Sequence, residues 1–205
     1  MKFSNWAQGS PEWAASRRGC ITASRFRDAL DVTAKGLPSA KSRLYAQDLA
    51  RERCGGTVFG PYVNAQMRYG TDQESLARMA YEVERGVLVS EVGFFKDDDE
   101  CFGISTDGLV EDDGAIEIKT VASSDVLFTV LVDKDYSSFE HQIRGNHWLL
   151  ARQWVDLVLW TPDLPKKMHV VRFERDEAAI EAMEAKLVLF SREVALLAAR
   201  LQGAM

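Results

Sequence analysis

Along this chain the spacing of apolar positions changes rhythm, and the change divides it into elements. Ser10-Pro11-Glu12 opens a helix, with Ser10 as N-cap and Pro11 at the first helical position, where a missing N–H costs nothing. ITASRFRDAL begins a second helix, capped by Thr22 or Ser24. After a loop at Lys35-Gly36-Leu37-Pro38, Ser39 to about Arg53 is helical again, and Gly55-Gly56 breaks it. A long helix is expected from about Val63 to Glu84, with Met67, Leu76, Met79, Ala80 and Val83 tracing one face. The runs GVLVSEVGFFK, CFGISTDGLV and AIEIKTV are then β-rich, and Glu111-Asp112-Asp113-Gly114 carries the Asp-Gly signal of a tight hairpin. Helices follow at Ser123–Leu131 and from about Ser137 to Ala151. Two strands, WVDLVLWT and KMHVVRFE, are joined by Pro162-Asp163-Leu164-Pro165. The last helix runs from Asp176 to about Leu201, where Ile180, Met183, Leu187, Phe190, Val194, Leu197 and Leu201 form a core-facing stripe. Helices before, between and after strands predict an α/β or α+β domain with a central mixed sheet flanked by helices. With no repeat and no linker, residues 1–205 read as a single domain.

Composition adjusts this picture in two places. The 46% of hydrophobic residues suffices for a sizeable core without structural metals or disulfides. Cys20, Cys54 and Cys101 are scattered and odd in number, as in a protein with reduced thiols, and no stretch is apolar enough to cross a bilayer. A soluble, cytoplasmic protein is the expectation. The net charge of −6 argues against a polyanionic partner, but its distribution does not. Residues 1–53 hold ten Lys/Arg against five Asp/Glu, whereas the acidic runs Asp97–Glu100 and Glu111–Asp113 look like solvated turns.

Candidate chemistry concentrates in TDGLVEDDGAIEIKTV. With residues 103–110 and 114–120 paired, Asp107 lies near the open end of the hairpin. Glu117 and Lys119 then project from one face and Ile116 and Ile118 from the other. Two carboxylates held together repel unless a cation lies between them, and oxygen ligands suit Mg²⁺ or Mn²⁺ rather than zinc. A neighbouring lysine is a point charge fit to hold an attacking water or a phosphoryl oxygen. Two helices add to the set. Glu74 sits one turn beyond Gly70, where a small residue allows close backbone approach. Gln142 and Asn146 share a face of the helix carrying EHQIRGNHW. His141 and His147 do not share a helix face, and Trp148, Trp154 and Trp160 read as core residues.

Taken together, the motifs resemble the PD-(D/E)XK nuclease fold, with its restriction-endonuclease-like core, and more closely the lambda-exonuclease group of phage recombination exonucleases. The residues that carry the likeness are WAASRRGCITASRF, GTDQESLA, STDGL…IEIKT and the HQ of EHQIRGNHW, in that order from residue 13 to residue 148. Thr106 stands where the nominal motif has proline, and Ser124 where the family often has a basic residue. The resemblance implies that Asp107 and Glu117 bind two Mg²⁺ ions, helped by the backbone carbonyl of Ile118, with Glu74 completing the site directly or through water, and that Mn²⁺ substitutes. It implies that Lys119 and Gln142 orient the nucleophilic water at the scissile phosphate. Arg17, Ser24 and Ser105 would form a pocket for a terminal 5′-phosphate. Arg17 offers a bidentate fork, and Ser24 at a helix start would add the favourable dipole. The implied activity is Mg²⁺-dependent, processive 5′→3′ digestion of linear double-stranded DNA, leaving 3′ overhangs for recombination. The implied assembly is a ring-shaped homotrimer acting beside a single-strand annealing protein in a bacterial host, encoded by phage or prophage. Met67 is either a core residue or the apolar wedge that this family sets against the terminal base pair. Competing expectations are an endonuclease or repair nuclease of the same fold, and a DNA-end-binding module without catalysis. An iron–sulfur nuclease is disfavoured, because there is no fourth cysteine.

Overall fold

The computed structural model describes residues 2–4, 6, 8–58, 65–97 and 102–205. The first half holds β1 (Lys2–Ser4), α1 (Pro11–Arg17), β2 (Ile21–Thr22), a 3-10 turn (Ala23–Arg25), α2 (Phe26–Ala29), α3 (Ala40–Arg53) and α4 (Ala65–Arg85). The short strands β3 (Val89–Ser90), β4 (Phe94–Lys96), β5 (Phe102–Ile104) and β6 (Gly108–Val110) precede the longer β7 (Gly114–Thr120). Then come α5 (Ser124–Leu131), α6 (Glu140–Leu149), β8 (Trp154–Trp160), β9 (Met168–Glu174) and α7 (Glu177–Gln202). Local capping chemistry sets several of these boundaries. Ser10, Ser39 and Asp176 accept hydrogen bonds from the backbone N–H groups of Trp13, Ser42 and Ala179, satisfying donors that the first helical turn leaves unpaired.

The strands form two sheets. One is five-stranded and mixed, in the order β3-β6-β7-β8-β9, and the other is four-stranded, in the order β1-β4-β5-β2. In the larger sheet β7 and β8 run parallel over seven residue pairs, from Gly114↔Trp154 to Thr120↔Trp160. Helices cover both faces, which is why β8 is buried almost throughout rather than alternating. Ala77 and Tyr81 of α4 pack on Ile116, Ile118, Val158 and Trp160, while Ile143 of α6 and Val130 of α5 pack on Ala115, Val155, Leu157 and Leu159. A third core joins the smaller sheet to α3 and α7 through Ile21, Phe26, Phe102, Tyr45, Leu187, Phe190 and Val194.

Several expectations change. The run 101–110 is not one strand: β5 belongs to the smaller sheet and β6 to the larger, so residues 105–107 cross between them. The hairpin is real, with Gly108↔Ile116 and Val110↔Gly114 paired, but its left-handed residue is Glu111 (φ 50°). Gly114 starts β7 instead, where a Cβ would collide with the Trp154 ring. ITAS forms a strand and a 3-10 turn before a helix of only four residues, and Thr22 makes no side-chain cap. On α4 the face is wrong: Leu76, Met79 and Val83 are exposed, and Ala77 and Tyr81 are buried. Among the described residues nothing approaches Gly70 within 4 Å of where a Cβ would stand. The Met67 side chain, Cys101 and residues 98–100 of the first acidic run lie outside the described residues. The α7 stripe holds through Leu197, which packs half-buried against the core beside Ala198, and Leu201 is exposed.

Candidate active site

Sheet register does the first work of assembly. Because Gly108 pairs with Ile116, Asp107 arrives opposite Glu117, at the point where the crossover enters the larger sheet. The crossover is pinned there: the Thr106 hydroxyl donates to the Ile116 carbonyl at 3.0 Å, and the Ile118 N–H donates to Asp107 Oδ2 at 2.6 Å. Two residues apart on β7, Glu117 and Lys119 share a face, and Lys119 Nζ donates to Glu117 Oε1 at 2.8 Å. The helix α6 closes that face. Gln142 Nε2 donates to the same Glu117 oxygen at 2.6 Å, and Gln142 Oε1 accepts from Lys119 Nζ at 3.1 Å. Asn146, one turn later and fully buried, reaches Glu117 Oε2 through Nδ2 at a longer 3.4 Å.

A second group lies across the cavity. Trp13 Nε1 donates to Ser105 Oγ at 2.9 Å, and Arg17 reaches the same hydroxyl at 3.4 Å. The Arg17 guanidinium lies 4.2 Å from the centre of the Trp13 ring. Burial pulls its pKa below the ordinary value, and among the described residues no carboxylate pairs with it. A half-buried cation stacked on an aromatic ring, with hydroxyls beside it, has donor chemistry that suits an anion. Ser24 is exposed within the 3-10 turn, its hydroxyl 3.4 Å from that of Thr22. No N-terminal dipole of a long helix stands behind it, so the helix-start argument for Ser24 fails while its position in the cavity holds.

Every residue singled out from the sequence, namely Glu74, Asp107, Glu117, Ile118, Lys119, Gln142, Arg17, Ser24 and Ser105, lines one cavity of about 510 Å³. Three further residues belong with them. Trp13 lies inside WAASRRGCITASRF, Asn146 shares a face of α6 with Gln142, and Arg78 follows Glu74 by one turn of α4. Arg78 NH1 donates to the main-chain carbonyl of Asp107 at 3.1 Å. The spacing from Glu74 to Arg78 was visible, but on a helix it reads as an ordinary surface pair.

Electrostatically the floor of the cavity is crowded. Burial and then the Glu117 charge hold the Asp107 carboxyl well above its usual range. Glu74 is raised as well, by burial first, with Arg78 opposing and Glu117 adding. Burial alone would lower Lys119, but Glu117, Asp107 and Glu74 outweigh it and keep the ammonium above its ordinary value. Three carboxyl groups thus share the cavity floor with a single ammonium. Among the described residues no three acidic, histidine or cysteine side chains stand close enough to hold an ion unaided. The donor chemistry nevertheless fits a hard divalent cation. Mg²⁺ keeps several of its waters and takes only one or two protein carboxylates, which Asp107 and Glu117 offer, and Ile118 and Glu74 line the same cavity.

Residues 12–148 match the YqaJ-like viral recombinase domain. Among solved structures, an alkaline exonuclease (LHK-Exo) from Laribacter hongkongensis is 33% identical, over 95% of this chain and 97% of that one, with a TM-score of 0.84. The same protein in complex with dAMP matches at 32% identity, with the same coverage and TM-score. A phage related exonuclease from Haemophilus somnus 129PT shares the fold at 15% identity, over 89% and 96% of the two chains, with a TM-score of 0.70. A comparison with curated proteins gives no match.

Proposed function

Because this chain belongs to the YqaJ-like viral recombinase domain family, we propose that it is a Mg²⁺-dependent exonuclease that digests linear double-stranded DNA 5′→3′ and leaves 3′ overhangs. One observation carries the reading: the Asp107, Glu117, Lys119 and Gln142 group opens into the same cavity as Arg17, Ser24 and Ser105. An acidic centre beside an anion pocket suits a substrate whose scissile phosphate and terminal phosphate are held at once. The alkaline exonuclease to which the chain is similar, recorded with a deoxynucleoside monophosphate, supports the same product class.

The residues divide the work. Asp107, Glu117, the Ile118 carbonyl and Glu74 would hold divalent cations, which when bound neutralise phosphate charge and ease loss of a proton from water. Lys119 and Gln142 already form one hydrogen-bonded unit with Glu117. They would orient the attacking water and a non-bridging phosphoryl oxygen. Water adds to phosphorus as the bond to the 3′ oxygen of the terminal nucleotide breaks, releasing a mononucleotide and leaving a new 5′-phosphate. Arg17, Ser24 and Ser105 would receive that phosphate after each advance. The reading extends to processive digestion by a homotrimer, beside a single-strand annealing protein in the cytoplasm of a bacterial host. Among the described residues no helix is long and apolar enough to cross a membrane.

The test uses linear duplexes ending in 5′-phosphate, 5′-hydroxyl or a blocked 5′ end, with closed circular DNA as control. Mononucleotides are expected from the phosphorylated linear duplex with Mg²⁺, and none with EDTA or from the circle. Cutting of the circle would point to an endonuclease, and binding without release to an end-binding module.

A further inference from the structure

Behind the catalytic group lies a second cavity of about 520 Å³, which shares Glu74 and Asp107 with the first and is lined by Arg78 and Glu91. The Arg78 side chain is 13% exposed. From α4 its NH1 donates to the Asp107 carbonyl at 3.1 Å and stands 3.8 Å from Glu74 Oε1. Its NH2 pairs with Glu91 Oε1 at 2.8 Å, on the segment between β3 and β4. One guanidinium therefore ties together the helix that carries Glu74, the crossover that carries Asp107 and a neighbouring loop. Residues 105–107 lie outside both ladders, and where Thr106 and the Asp107 carboxyl are held from the β7 side, Arg78 holds the Asp107 carbonyl from α4. A planar fork with several donors in fixed directions suits the task, and a single ammonium does not.

We propose that Arg78 is a positioning residue of the nuclease centre: it fixes the separation between Glu74 and Asp107, and so sets how tightly these carboxylates share a divalent cation. This rests on the nuclease reading given above. Arg78 touches neither water nor phosphate in this account and acts only through the two carboxylates. Partners of this kind, one step removed from the ligands, typically change metal affinity by about 10–100-fold when lost.

The experiment titrates Mn²⁺ into wild type, Arg78→Lys and Arg78→Ala by calorimetry without DNA, with thermal melting of each and nucleotide release across a Mn²⁺ series. Folded Arg78→Ala is expected to bind Mn²⁺ roughly 10–100-fold more weakly and to recover part of its rate at high Mn²⁺. Arg78→Lys should fall between it and wild type. If Arg78→Ala does not fold, Glu91→Ala takes its place, since the Glu91 side chain is 72% exposed and its loss frees the fork without emptying a buried site; weaker Mn²⁺ binding is again expected, by a smaller factor. Wild-type affinity in folded Arg78→Ala, or in Glu91→Ala used in its place, overturns the proposal and leaves the nuclease reading intact. A wild type that neither binds Mn²⁺ nor releases nucleotides overturns both.

Discussion

Three carboxylates and one ammonium share the floor of the cavity, and their mutual charge makes two single-residue outcomes predictable. Asp107 keeps its proton above the ordinary carboxylate range, through burial first and Glu117 second. The native state thus binds more protons than the unfolded chain in that range, and stability falls as pH rises through it. Asp107→Asn removes this liability while keeping an acceptor for the Ile118 N–H. Without divalent ions the variant should melt higher than wild type at neutral pH, with the gap closing as pH falls toward about 4. Melting curves in EDTA across pH check this, and added Mg²⁺ should raise wild type but not the variant. Lys119 is held charged by Glu117 and its neighbours. Lys119→Ala should lower single-turnover cleavage by about 10²–10³-fold with little change in DNA-end binding. A loss of binding equal to the loss of rate would show that Lys119 holds the substrate instead.

Elements bring these residues together, and their close approaches are where the site is vulnerable. A Cβ on Gly145 would stand 2.7 Å from Ala23 Cβ and 3.2 Å from Phe26 Cε2, so α6 meets the 3-10 turn with no room to spare. Gly145→Val should push α6 outward, destabilise the fold by about 1–3 kcal/mol, and lower the rate per folded molecule because Gln142 moves too. Leu187→Ala, in the fully buried stripe of α7, should cost about 2–5 kcal/mol and leave the rate of the remaining folded protein unchanged. Melting and activity measured together separate the two. Much of this architecture is legible in the sequence wherever its cause is local. Ser10, Ser39 and Asp176 announce their helices through caps, and the stripe of α7 has one core to face. The exposed face of α4 misled because apolar residues occur on both sides of that helix. Which side is buried depends on Ala77 and Tyr81 fitting against the sheet. The break between β5 and β6 was invisible for a related reason, since each half pairs with a partner distant in sequence. The acidic motif and its lysine were readable because their chemistry is tied to spacing. Arg78 was not, because its decisive acceptor is a backbone carbonyl 29 residues away.

At the scale of the whole molecule, a chain of net charge −6 holds a basic N-terminal third whose Arg17 faces the cavity. That arrangement places local positive charge in the cavity that holds the acidic residues, although the protein as a whole is acidic. If Arg17 reads the terminal phosphate, Arg17→Ala should digest 5′-phosphoryl and 5′-hydroxyl duplexes at similar, reduced rates, whereas wild type prefers the former; unchanged preference would remove Arg17 from the pocket. The proposed chemistry is hydrolysis of DNA from its ends with a divalent ion gathered by Asp107 of the crossover and Glu117 of the sheet. Its most direct measurement is nucleotide release from end-defined linear duplex by wild type and Glu117→Ala, each with Mg²⁺ and with EDTA. Wild type is expected to release nucleotides with Mg²⁺ alone, and the variant, which should still fold, at most traces. Release in EDTA, or from folded Glu117→Ala at the wild-type rate, would contradict it.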